Sequence, residues 1–253
     1  MARYLGFEAV VFVPGQMVEA TRALIRGEGA EVRVVEGDYD DALEAVRTAA
    51  EREGWLLVLD IEWEGFEEVP GWVVEGYQSM LDESDAQVRD VTGGQPATHA
   101  IVPVGCGSIA QAVTQHYKGE SRERGGVPAA AVLAVEPETA ACLKTSLEAG
   151  KMTTVNTGNT IMAGMNCGTL STGAWPVLSS GVDGAVVVTD AESHRAVKEL
   201  EEFGVKTGPC GAATLAALKR ICVDGKKEEL GLNKSSVVVL YCTEGSRDYD
   251  VPV

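Results

Sequence analysis

The chain lacks a C-x-x-C pair, a histidine cluster, a long apolar run and any excess of positive charge, and each absence removes a class of function. Its six cysteines, Cys106, Cys142, Cys167, Cys210, Cys222 and Cys242, lie far apart. That spacing suits neither a zinc site nor a disulfide framework and fits a reducing cytoplasm. His99, His116 and His194 are equally scattered, so no metal site is expected. No window approaches the roughly 20 uninterrupted apolar residues of a membrane helix, and no signal-peptide pattern opens the chain. With 21 Lys and Arg against 38 Asp and Glu, the formal net charge is −17, which argues against nucleic acid or an anionic membrane as partner. What remains is 253 residues, 45% hydrophobic and 23% charged, a globular composition sufficient for one large or two ordinary domains.

Val-rich apolar runs alternate with helix-period segments. Phe7 to Val13, Glu31 to Val35 and Trp55 to Leu59 read as strands, separated by helices over Met17 to Arg26 and from Asp38 through Glu53. After an irregular stretch, a helix is expected over about Trp72 to Val88. A strand then covers Thr98 to Val104, and a helix runs from Ile109 to about Tyr117. Further strands are expected at Ala129 to Val135, Gly184 to Val188 and Ser235 to Cys242. Between them come a helix capped by Thr189 or Asp190 and an Ala-rich helix over Gly211 to Ile221. Met152 to Ser180 is Gly-, Asn- and Thr-rich with little periodicity and reads as turns around a site. Strands alternating with helices across short connections predict an α/β protein with two open, mostly parallel sheets flanked by helices. The boundary falls near residue 75, giving a small unit 1–75 and a larger one 76–253. Met1 to Gly6 reads as the last turn of a helix with no N-cap before it. A one-turn stub implies a missing front half, outside packing or a frayed terminus.

Three constellations carry chemistry. Val104-Gly105-Cys106-Gly107-Ser108-Ile109-Ala110 joins a strand to a helix, where glycines admit an anion to free N–H groups and the positive helix end. The same run is a G-x-G-x-x-A arrangement, with Glu136 ending the next strand where a dinucleotide fold places its ribose ligand. Asp60-Ile61-Glu62-Trp63-Glu64-Gly65-Phe66-Glu67-Glu68 follows a strand end, and Asp60 is best placed there to be a general base. Glu62, Glu67 and Glu68 read as a solvated acidic loop. Finally, the strand ending at Cys242 opens onto Thr243-Glu244-Gly245-Ser246.

In order along the chain, these pieces resemble the fold-type II pyridoxal-phosphate (PLP) enzymes, the superfamily of the tryptophan synthase β chain and of serine and threonine dehydratases. Within it the likeness is nearest to the diaminopropionate ammonia-lyases. Asp60 to Pro70 is similar to that family's D-T-x-W-E-G-Y segment, followed by Gly76-Tyr77-Gln78-Ser79-Met80. Thr98-His99 leads into Val104 to Gly107, and Val135-Glu136-Pro137, Thr160 to Gly168, Gly208 to Ala213 and Cys242 to Gly245 complete the series. By this resemblance Gly105, Cys106, Gly107 and Ser108 cradle the PLP phosphate, Asp60 takes the substrate Cα proton, and Cys242 faces the pyridine nitrogen with Thr243 beside it. A neutral partner there leaves the ring a weaker electron sink, which suits β-elimination to pyruvate and ammonia over transamination. The resemblance implies a homodimer and a small amino-acid substrate, such as 2,3-diaminopropionate, serine or threonine.

The same resemblance puts the family's Schiff-base lysine and its Asp-Gly-Asn-His-Gly loop upstream of the turn at Met1. None of Lys118, Lys144, Lys151, Lys198, Lys206, Lys219, Lys226, Lys227 or Lys234 lies between a strand and a Gly-Asn loop. The expectation is therefore a tryptophan synthase β-like fold truncated at its N-terminus, inactive alone and without covalent PLP. It should show a bare sheet edge or an uncovered apolar face. Two alternatives stay open: a lysine-less binder of a phosphate ligand, and an NAD-binding oxidoreductase built on Gly105, Gly107, Ala110 and Glu136.

Overall fold

The computed structural model describes residues 1–119 and 126–252. It contains two compact units, Met1–Val58 and Leu59–Val253. The first is a parallel pair, β1 (Val10–Pro14) and β2 (Glu31–Val35), in register from Val10 opposite Glu31 to Pro14 opposite Val35. It also carries α1 (Ala2–Leu5), α2 (Glu19–Gly27) and α3 (Tyr39–Glu53). Asp38 starts α3 with a complete capping box, its side chain accepting from the Asp40 and Asp41 amides while Asp41 accepts from the Asp38 amide. Gly6 and Gly54 end α1 and α3 in the left-handed conformation, as glycines free of a Cβ clash do.

Two expectations for this region need correction. The strand expected over Trp55 to Leu59 does not form; the segment is irregular, with Leu56 80% and Val58 66% exposed. β-propensity alone cannot make a strand, because its backbone groups need a ladder partner, and β1 and β2 pair only with each other among the described residues. The division of the chain also falls earlier than residue 75. Residues 59–75 belong with the second unit, where α4 (Glu68–Gly76) packs against α6 (Ser108–Lys118).

The second unit is a four-stranded sheet ordered β5-β4-β3-β6, with every neighbouring pair parallel. Its strands are β3 (His99–Pro103), β4 (Ala131–Pro137), β5 (Gly184–Val188) and β6 (Val238–Leu240). β3 is buried throughout, as a central parallel strand covered on both faces must be. Ala100 and Val102 point into a core shared with α6 and with α5 (Gln78–Thr92), α7 (Cys142–Ala149) and α8 (Ala174–Gly181). Ile101 points the other way, into a core filled by α9 (Asp190–Glu202) and α10 (Pro209–Val223). Thr189 caps α9 with a second capping box, exchanging bonds with Glu192.

The single helix expected over Trp72 to Val88 is two, α4 and α5, which meet at Tyr77. α7 and α8 were not legible, and Met152 to Ser180, read as turns, also holds a 3₁₀ turn at Ala163–Met165. β5 and β6 are the two edges of the sheet, and β6 bonds only β3 among the described strands. No helix among the described residues is long and apolar enough to cross a membrane.

Candidate active site

In an all-parallel sheet the strand ends at one edge form the natural binding crevice. Here β3 runs into Val104–Ser108 and its neighbour β6 into Tyr241–Gly245. The backbone N–H of Tyr241 donates to the Ile101 carbonyl at 3.0 Å, which keeps the two exits side by side. The anion loop and the Cys242 segment therefore leave the sheet from adjacent strands at the same edge.

The loop needs its glycines. A Cβ on Gly105 would stand 2.9 Å from the Gly164 carbonyl oxygen and 3.3 Å from both Cys167 Sγ and Met165 Cα. Gly107 adopts φ +102, and a Cβ there would lie 3.0 Å from Ala174 Cβ and 3.2 Å from Leu178 Cδ1. Gly107 is also the residue before α6, so the positive end of that helix opens at the loop. Among the described residues, no acceptor meets the backbone N–H of Cys106 or Gly107.

Asp60 comes to this loop. Its Oδ2 accepts from Ser108 Oγ at 2.8 Å and from Cys106 Sγ at 3.3 Å. Ser171 holds the two segments together: its amide donates to the Cys106 carbonyl at 2.8 Å, and its Oγ accepts from the Glu62 amide at 2.8 Å. Burial first, and then the neighbouring Asp60 carboxylate, push the Cys106 thiol up to about 12, so it stays a neutral donor. Burial also raises the Tyr77 hydroxyl, which sits against Ser108 with Asp60 and Cys106 close by. The acids beyond Asp60 form a tight turn in which Trp63 stacks on Phe66 at 4.5 Å and the Gly65 amide donates to Glu67. Of the three acids expected in a solvated loop, Glu67 and Glu68 are exposed, Glu68 as the first residue of α4, whereas Glu62 is half-buried.

Cys242 is half-buried, with Sγ 3.3 Å from the Gly211 carbonyl and 3.6 Å from Thr214 Oγ1. Burial raises its pKa, so the group presented is a thiol and not a thiolate. Thr243 is exposed beside it. Behind them Glu244 accepts from the Cys210 amide at 2.6 Å and pairs with Arg247 at 2.6 Å, capping the start of α10. The structure thus brings Asp60 together with Cys106 and Ser108, and sets Cys242 and Thr243 on the neighbouring strand's exit. Sequence reasoning missed Ser171, Tyr77 as a neighbour of Ser108, and Glu244. Ser171 and Glu244 act on partners more than 30 residues away, which no local pattern displays.

Glu136 is not a ribose ligand. It is fully buried, and its two oxygens accept from the Leu143 and Lys144 amides at 2.7 and 2.8 Å, capping α7. A side chain with no exposed surface and both oxygens turned onto α7 cannot reach a ribose, which removes the basis of the NAD reading. The lysines, too, stay away from the loop. Lys118, Lys144, Lys198 and Lys219 pair with Asp183, Glu148, Glu201 and Glu199, while Lys151, Lys206, Lys226, Lys227 and Lys234 are exposed.

The residues fit a PLP group on three counts. The loop is a close-approach cradle that a Cβ would fill, its hydroxyl and thiol already converge on an anionic oxygen, and a neutral thiol stands at the adjacent strand end. The Asp60 oxygen is the chemical counterpart of a phosphate oxygen: negatively charged, and accepting two donors at a helix start. Comparisons with known proteins agree. The chain is 30% identical to the diaminopropionate ammonia-lyase of Salmonella typhimurium over 264 residues, covering 99% of this chain and 64% of that protein. A crystal structure of the Escherichia coli diaminopropionate ammonia-lyase in complex with D-serine superposes with a TM-score of 0.86 at 28% identity, covering 96% of this chain and 62% of that one. Maize serine racemase, at 22% identity and a TM-score of 0.77, shares the fold. The chain spans just under two thirds of the length of the ammonia-lyases it matches. The architecture is the tryptophan synthase β-like one that the motif series implied. Since the family described as "Pyridoxal-phosphate dependent enzyme" matches residues 1–243, this chain belongs to the PLP-dependent enzymes of fold type II.

Proposed function

We propose that the chain carries out its part in a PLP-dependent ammonia-lyase reaction, α,β-elimination on 2,3-diaminopropionate or a related amino acid to give pyruvate and ammonia. The observation that carries this reading is the convergence of Ser108 and Cys106 on an anionic oxygen at the sheet edge, next to the strand that ends in Cys242. In this reading the phosphate lies against Ser108 Oγ and the amides of Gly105, Cys106 and Gly107. Cys242 holds the ring nitrogen through a neutral thiol, with Thr243 beside it. Bound there, PLP supplies the sink for the electron pair left when Cα loses its proton, and so lets the β-amino group depart. Asp60 receives that proton; the support for this role is that its carboxylate lies beside the same loop, against Ser108 and Cys106. The same reading makes the protein a homodimer of a reducing cytoplasm, where its six free thiols stay reduced.

A second reading, a binder of a phosphate ligand without a covalent tether, is favoured by one fact: all nine lysines are exposed or engaged in ion pairs away from the loop. One experiment addresses both. The PLP-loaded chain is given 2,3-diaminopropionate and pyruvate is followed by a coupled assay, with free PLP as the reference. Elimination predicts pyruvate above the reference, and its loss in Asp60→Asn. Binding of PLP with no pyruvate above the reference would leave the binding protein. Repeated turnover together with one stoichiometrically labelled lysine after borohydride treatment would contradict the absence of a tethering amine.

A further inference from the structure

Asp60 has a further relation to the phosphate loop, besides the role of base proposed for it. We infer that Asp60 is the loop's resident anion, and that a phosphate ester enters only by displacing its carboxylate from Ser108. This rests on the loop being a phosphate cradle, and adds that loading the cradle and releasing the base are one event.

Donors and charge both point this way. Ser108 Oγ and Cys106 Sγ donate to the same atom, Asp60 Oδ2, at 2.8 and 3.3 Å. Ser108 and Cys106 are buried, 4% and 7% exposed, so water does not readily take over either bond. A hydroxyl has a single proton, and while Asp60 holds it, Ser108 has none for a phosphate oxygen. Among the described residues no lysine or arginine pairs with Asp60. A carboxylate and a phosphate sharing this loop would therefore repel, with no cation between them. The Asp60 position is itself fixed: Ile61 is buried, and the Glu62 amide is tied through Ser171 to the Cys106 carbonyl. The backbone thus stays while the side chain turns, a rotamer change and not a loop movement. Until phosphate arrives, the carboxylate satisfies buried donors that would otherwise be left unpaired. Once displaced, it is free of Ser108 and Cys106 to take a proton elsewhere.

The test uses inorganic phosphate alone, titrated calorimetrically into the chain, into Asp60→Asn, and into Asp60→Ala, whose side chain can donate nothing of its own to the ion. Asp90→Asn, an exposed aspartate on α5, controls for net charge. Both Asp60 variants should bind phosphate about tenfold or more tighter than the parent, and Asp90→Asn should match it. Should Asp60→Ala fail to fold, the isosteric Asn variant carries the comparison. Equal or weaker phosphate binding by the Asp60 variants would overturn the displacement while leaving the cradle standing. Phosphate and PLP binding to none of the four chains would overturn the cradle reading and this inference with it.

Discussion

Replacing Glu136 by alanine is expected to cost about 3 kcal/mol in urea unfolding at pH 5, among the largest single-residue losses in the chain. The change leaves the Leu143 and Lys144 amides without acceptors and opens a void at a site with no solvent access. It also removes the side-chain cap that Glu136 gives α7, whose Ala141 N-cap supplies none. The pH dependence is the sharper part. Burial, opposed by bonds from the Lys144 and Leu143 amides, pushes the Glu136 carboxyl up to about 7 from 4.5. The folded chain therefore holds this proton more tightly than the unfolded one. The resulting stability is complete below about pH 4.5 and is lost as the pH rises through about 7. Across that window the gap between the parent and Glu136→Gln should shrink by about 3 kcal/mol. Unfolding curves whose separation does not change with pH would show that Glu136 is ionised throughout.

Gly107→Ala is the second large effect, and it bears on the site. The backbone at φ +102 disfavours a side chain, and the new Cβ would press on Ala174 and Leu178. Together these should lower stability by about 3 kcal/mol and weaken phosphate binding about tenfold or more. Gly94 separates the two causes, since it has φ +99 but a Cβ there would meet nothing within 4 Å. Gly94→Ala should lose only the backbone part, about 1 kcal/mol, with phosphate binding unchanged. Equal losses at both positions would mean that the α8 contact at Gly107 contributes nothing.

Local signals made much of this molecule readable. Asp38 and Thr189 each start a helix with an acid three residues on, and both form the capping boxes that spacing implies. β2 and β5 fall where short Val-rich runs lie close to glycine and acidic residues. Where reading failed, the deciding interaction was distant. Trp55 to Leu59 has strand composition but no ladder partner among the described residues. Glu136 looks like a ribose ligand until its oxygens are found on the α7 amides, a helix that lacked a start signal of its own. At the site, the glycine loop and Cys242 were visible because strand-to-loop transitions mark them. The bond from Ser108 to Asp60 spans 48 residues and is created only by the fold.

Everything proposed for this chain depends on the Val104–Ser108 loop gripping a phosphate carried on a pyridine ring. Competition at equilibrium probes that grip without relying on catalysis: PLP bound to the chain, read by its fluorescence, is challenged with inorganic phosphate or with pyridoxal, which has the ring but no phosphate. Phosphate should displace PLP completely from a single site, and pyridoxal should compete only weakly. Displacement by pyridoxal with indifference to phosphate would show that the loop does not hold the phosphate.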